Sequence, residues 1–254
     1  MVVGLKHFIE YFEPYKDNYI LIGGAACDFH FDGAGLPFRA TKDLDLIIIV
    51  ENLNSDFAYR FWDYVTEGNY NKKEKSVGER KFYRFRDPSS SNFPQQLELF
   101  SRNPGLDLKN DSHLTPIPVS EEISSLSAIL MNDDYYQLTI DNSPFAEGLH
   151  LASVPVLICL KSKAFFDLQK RKSDGEKIDE KDIRKHRNDI IRLSTLLSDE
   201  KLKLPDSIAS DVVEIISDIE NEPPDIKALL KDFNLKALSL EQITSQIRSV
   251  FQIN

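Results

Sequence analysis

Cysteine is almost missing from this chain. Two occur in 254 residues, Cys27 and Cys159, each among apolar neighbours. That excludes a disulfide framework and fits buried thiols in a reducing compartment. Histidine is sparse as well, and His30, His113, His150 and His186 show no metal-ligand spacing, which argues against zinc. No apolar run approaches the ~20 residues that span a bilayer. The segment MVVGLKHFIEYF lacks the basic start, apolar core and cleavage site of a signal peptide. A soluble cytoplasmic protein without membrane contact is expected. Positive charge is in deficit: 31 Lys and Arg stand against 41 Asp and Glu, a net charge of −10. A general polyanion binder needs the opposite balance. Internal repeats and low-complexity segments are missing too.

What is present suffices for a folded core. The chain is 41% hydrophobic, with 16 Phe and 9 Tyr, which excludes disorder as a description of the whole. Charge is unevenly spread. Lys72, Lys73, Lys75, Arg80, Lys81, Arg84 and Arg86 crowd residues 72–86, a second basic run covers 161–187, and the last fifty residues are mostly acidic. Such runs form local basic surfaces or merely solvated faces.

The apolar spacing predicts a helix over 5–15, a short buried strand over 18–22, a helix over 25–31, a central strand over 44–50 and a helix over 57–70. Strands are expected at 81–85 and 95–100, separated by a turn at 87–92. A loop follows over 103–120, then short strands at 127–131, 135–140 and 149–152. From Pro155 only helices are expected, at 155–172, 179–198, 206–220, 224–233 and 239–251, the last opened by a Ser239/Gln242 capping box. The fold class is therefore α+β, a mixed-sheet domain over 1–152 followed by a helical bundle over 153–254.

One stretch concentrates chemistry. Leu21 to Val50 holds an apolar strand, Gly23-Gly24, a short helix, Arg39-Ala-Thr-Lys-Asp43-Leu-Asp45 and a second apolar strand. Glycines between strand and helix let backbone approach a ligand, and the helix N-terminus offers free N–H groups to phosphate. Asp43 and Asp45 point to one face of their strand, with Cα atoms roughly 6.6 Å apart. Leu44 and Leu46 turn the other way and fix the register. Two carboxylates beside a glycine turn suggest a site for a metal ion and a phosphate.

This order resembles the nucleotidyltransferase superfamily typified by DNA polymerase beta. The resemblance implies that Asp43 and Asp45, with a third carboxylate on a later strand, hold Mg²⁺ or Mn²⁺ against a nucleoside triphosphate. Glu98 in Gln96-Leu-Glu98-Leu-Phe100 matches the third position, with Glu where many members have Asp. Gly23 and Gly24 would cradle phosphate, and Arg39 and Thr41 would stand close to the nucleotide. The helical half is similar to the abortive-infection toxin-type branch, through Val154-Pro-Val-Leu-Ile-Cys-Leu-Lys161-Ser-Lys-Ala164 and Lys185-His-Arg-Asn-Asp189-Ile-Ile-Arg. On that match Lys161 reaches the triphosphate, Asp189 orients Lys161 or helps shape the site, and the helical domain completes the active-site cleft. Residues 43, 45, 98 and 161 should then converge. The resemblance covers most of 18–195; the acidic helices beyond 200 match nothing.

The implied activity moves a nucleoside monophosphate from a triphosphate to an acceptor hydroxyl on tRNA, a protein or a small molecule. An antitoxin partner would accompany a toxin. Two other readings remain: an inactive nucleotide- or partner-binding module on the same fold, and an RNA-binding regulator using the basic runs. Phe82, Tyr83 and Phe85, interleaved with Lys81, Arg84 and Arg86, could stack bases along a groove or simply form a half-buried hairpin. Ser89-Ser-Ser91 is a turn without the glycines of a nucleophile elbow, and Cys27 has no activating partner in sequence.

Overall fold

The computed structural model describes residues 2–72, 84–102, 114–117, 126–233 and 238–253. The chain divides into two units, 1–29 with 39–152 and 30–38 with 153–254. The mixed-sheet portion and the helical portion are both present, so the α+β class holds.

In the first unit nine strands are assigned among the described residues: β1 (Tyr19–Ile22), β2 (Asp43–Ile48), β3 (Asn71–Lys72), β4 (Arg84–Arg86), β5 (Gln96–Ser101), β6 (Leu114–Ile117), β7 (Leu126–Leu130), β8 (Phe145–Ala146) and β9 (Leu149–Leu151). They form one sheet in the order β3-β4-β5-β2-β1-β9-β8, with β7 alongside the far end of β5 and β6 paired to β7. β2 is central, parallel to β5 and antiparallel to β1. That position explains its buried run Leu44, Leu46, Ile47 and Ile48.

Two helices, α1 (Leu5–Tyr11) and α3 (Ser55–Glu67), pack against one face of the sheet through aromatic rings. Phe8 and Phe12 meet Tyr19, and Phe61 meets Phe85. Pro14 sits at the start of a 3₁₀ turn over Glu13–Asn18, so the first helix stops four residues before the spacing alone suggests. α3 begins at Asn54, whose side chain accepts from Phe57 N–H.

Three expectations need correction. Residues 135–140 are not a strand but part of helix α4 (Asp133–Asp141), started by Asn132 accepting from Asp134 N–H. Its buried Tyr135, Tyr136, Leu138 and Thr139 have helical spacing, and that packing overrides the strand preference of Tyr, Thr and Ile. Residues 114–117 are strand β6 rather than loop. Finally, 30–38 belongs with the helices. Phe31 lies at the end of α2 (Gly23–Gly33) and stacks on Phe38 at 5.0 Å, with Phe233 at 5.4 Å. Most of the strand expected at 81–85 lies outside the described residues.

The second unit contains α5 (Val154–Ser173), α6 (Glu180–Ser194), α7 (Asp206–Asn221), α8 (Ile226–Leu230) and α9 (Leu240–Phe251). Pro155 occupies the first turn of α5, and the Ser239/Gln242 capping box forms in both directions at α9. Ile208, Val212, Ile215, Ile216 and Ile219 make a buried stripe on α7. Among the described residues no helix is long and apolar enough to cross a membrane.

Candidate active site

Strand periodicity builds the site. Along β2, Asp43 and Asp45 are half-buried while Leu44 and Leu46 are buried. Along β5, Gln96 and Glu98 are half-buried while Leu97 and Leu99 are buried. The two strands run parallel, with Asp45 opposite Glu98 and Asp43 opposite Gln96. Directly opposed residues share a face, so all four polar side chains rise from the face opposite the α1 and α3 aromatics. Register alone thus brings the three carboxylates of the sequence reading onto two neighbouring strands. It also adds Gln96, whose side-chain amide donates to Glu98 Oε1. The signal for Gln96 was in the sequence, two residues before Glu98 and therefore on its face, but only the pairing shows that Asp43 is its neighbour.

The glycine pair lies against the aspartates. β1 ends at Ile22, opposite Asp45, and α2 starts at Gly23 without an intervening loop. Gly23 has φ +70°, and a methyl group there would stand 1.8 Å from Asp45 Oδ2. Only glycine fits both the left-handed backbone and the carboxylate beside it. At Gly24 a methyl group would meet Thr41 Oγ1 at 2.7 Å and Arg39 Nη2 at 3.5 Å. The residues Gly23, Gly24, Arg39, Thr41, Asp43, Asp45 and Glu98 are therefore gathered by one end of the β1–β2–β5 sheet. The free N–H groups of an eleven-residue helix open at the same place.

Whether the donors suit a metal ion can be tested on their chemistry. Three carboxylates are hard oxygen ligands of the kind Mg²⁺ takes, and the backbone places them in adjacent rows. As the side chains stand, no group of three His, Cys, Asp or Glu among the described residues is close enough to hold an ion. Glu98 is turned instead toward Gln96. The donor set fits in type and in placement, and ion binding would require side-chain rotation.

Lys161 and Asp189 belong to the second unit. Lys161 lies on α5 and Asp189 on α6, and they form an ion pair with Nζ donating to Oδ2 at 2.9 Å. Both side chains are buried, Asp189 completely. Arg192 Nη1 stands 3.5 Å from the other carboxylate oxygen. In this unit the two charges compensate each other.

Other candidates recede. Phe85 is buried against Phe61, Trp62 and Tyr70, so it is core and offers no base-stacking surface; Phe82 and Tyr83 lie outside the described residues. Both cysteines are fully buried, and burial pushes the Cys159 thiol far up, leaving no thiolate nucleophile there.

No family model matches the sequence, and no curated protein matches it. Among solved structures the chain is similar to a crystal structure of a candidate nucleotidyltransferase from H. pylori. The identity is 16%, over 98% of this chain and 90% of that one, with a TM-score of 0.45. A likeness so distant carries no argument about activity.

Proposed function

We propose that the protein is a metal-dependent nucleotidyltransferase. One observation supports this most: Asp45 is opposite Glu98 in a parallel pair, with Asp43 two residues away on the same face and Gly23 pressed against Asp45. Stability alone gives no reason to align three carboxylates there, and such placements mark functional surfaces. Gly23, Gly24 and the opening N–H groups of α2 would receive the triphosphate. Arg39, beside Gly24, supplies a planar donor fork for a phosphate oxygen, and the Thr41 hydroxyl supplies a further donor.

A divalent ion bound by Asp43, Asp45 and Glu98 would neutralise phosphate charge and lower the pKa of an acceptor hydroxyl. The chain's own groups position the reactants. The acceptor oxygen forms a bond to the α-phosphorus as the bond to the bridging oxygen breaks, and pyrophosphate leaves with that electron pair. The hydroxyl proton passes to the Glu98 carboxylate and then to water. No covalent protein intermediate is needed, so positioning and electrostatics carry the rate. The roles read for Lys161 and Asp189, for tRNA or protein as acceptor, and for an antitoxin partner are carried by the resemblance alone.

The test is transfer of label from α-labelled nucleoside triphosphates, with Mg²⁺ or Mn²⁺, to RNA, protein and small hydroxylic acceptors. Transfer is expected with the native protein and is lost in Asp43→Ala/Asp45→Ala. Full retention of transfer in that double variant overturns the proposal. A second reading, a nucleotide-binding module without turnover, is favoured by the engagement of Glu98 with Gln96. It predicts calorimetric uptake of Mg-nucleotide by a protein that releases no pyrophosphate.

A further inference from the structure

Arg86 has no part in the machinery described so far. It lies on β4 opposite Gln96, which in turn is opposite Asp43. The three positions make one row across β4, β5 and β2 on the carboxylate-bearing face. Phe85, next in sequence, faces the other way into the aromatic core. The Arg86 side chain is half-buried, and its Nε is shielded from solvent with no hydrogen-bond partner among the described residues. A guanidinium donor that is shielded and left unmatched destabilises the fold. A ligand would remove that cost. The matching ligand is an oxyanion with two in-plane oxygens, as a phosphate presents.

Position says which phosphate. Along the neighbouring row the sequence of positions is Ile22, Asp45, Glu98 and Arg84, so the carboxylates stand between the glycine cradle of β1 and the arginine-bearing β4. With strands about 4.8 Å apart, β1 and β4 are separated by roughly 14 Å. An in-line displacement needs the leaving pyrophosphate and the attacking hydroxyl on opposite sides of the phosphorus. If the triphosphate occupies the cradle, β4 lies on the acceptor's side.

We propose that Arg86 binds a phosphate group carried by the acceptor, next to its attacking hydroxyl. The acceptor is then a nucleotide or the end of a nucleotide chain, not a protein hydroxyl or an uncharged sugar. This rests on the nucleotidyltransferase reading. Arg86 does not touch the reacting atoms and is a positioning residue.

The experiment uses the full chain, native and as Arg86→Gln and Arg86→Lys, with three probes: a ribotrinucleotide with two internal phosphates, cytidine 5′-monophosphate and cytidine. Calorimetry with Mg²⁺ but no triphosphate measures acceptor binding, and label transfer measures acceptor KM. Arg86→Gln should weaken trinucleotide binding about tenfold and raise its KM by a similar factor. Nucleotide affinity should stay unchanged. Arg86→Lys, which keeps the charge and loses the fork, should fall between and guards against a merely unfolded glutamine variant. Binding of the monophosphate as tight as that of the trinucleotide assigns the phosphate to a free nucleotide; a clear preference for the trinucleotide assigns it to a chain. Unchanged binding of both in Arg86→Gln overturns the proposal, as does an equal fall in nucleotide affinity. If the native protein transfers label to no probe, the enzymatic reading fails, while the calorimetric comparison still decides on Arg86.

Discussion

The two charged regions treat their charges in opposite ways. On the sheet, three carboxylates stand on one half-buried face with a glutamine among them. In the helical unit, the Lys161 ammonium and the Asp189 carboxylate are buried together and neutralise each other at 2.9 Å. The first gathers three acidic positions where water still reaches, which suits a cation or a phosphate-bound cation. The second joins α5 to α6 and holds its charges against each other, with Arg192 alongside. Burial by itself therefore does not mark a functional ion. The sign balance and the access to solvent do.

Breaking the two regions in parallel sharpens the contrast. The largest effect should come from Asp43→Asn/Asp45→Asn. Transfer activity should fall at least about a thousandfold, equivalent to roughly 4 kcal/mol of transition-state stabilisation. The thermal midpoint should stay level, because Asn keeps the shape of Asp and both positions are half-buried. Kinetics and a melting curve on the same preparation check both. A marked loss of stability would put the sheet carboxylates in the same class as the helical pair.

Lys161→Ala comes next, and here the signs exchange. Removing the lysine leaves the Asp189 carboxylate buried, with Arg192 Nη1 3.5 Å away. A destabilisation of about 3 kcal/mol is expected in denaturant unfolding. Lys161→Met/Asp189→Leu, which removes both charges and keeps volume, should recover most of it. If that double variant folds well yet binds nucleotide poorly, Lys161 acts on the ligand as well as on Asp189.

How far the sequence could carry these distinctions depended on the range of the interaction. The alternation Asp43-Leu44-Asp45-Leu46 announces a strand with a polar and an apolar face, because side-chain period is a local property. The helix over 239–251 was equally open to view, since its capping box lies within four residues. Opposing Asp45 to Glu98 was not, because the register of β2 on β5 joins residues fifty apart through a shared apolar face. The same distance hides Gln96 and Arg86: each was visible as a residue, and only pairing shows that they stand in one row with Asp43. α4 departs from its local pattern for the reverse reason. Tyr135, Tyr136, Thr139 and Ile140 favour strands, and the Asn132 cap with its tertiary packing decides against them. Phe31 joins the second unit through Phe233, two hundred residues away, and no pattern near it says so.

The smallest effect separates the glycine cradle from ordinary turns. In Gly23→Ala a methyl group would meet Asp45 Oδ2 at 1.8 Å on a backbone of φ +70°. The strain should cost about 2 kcal/mol of stability. It should also push the carboxylate off its row, so activity should drop beyond what the folded fraction explains. Gly175 is the control. It too has positive φ, at +94°, but a methyl group there meets nothing within 4 Å. Gly175→Ala should therefore cost only the backbone term, about 1 kcal/mol, and leave transfer intact. Equal losses of activity in the two variants would show that backbone strain, not the approach to Asp45, is what position 23 requires. A loss confined to Gly23→Ala would tie the glycine to the carboxylate beside it.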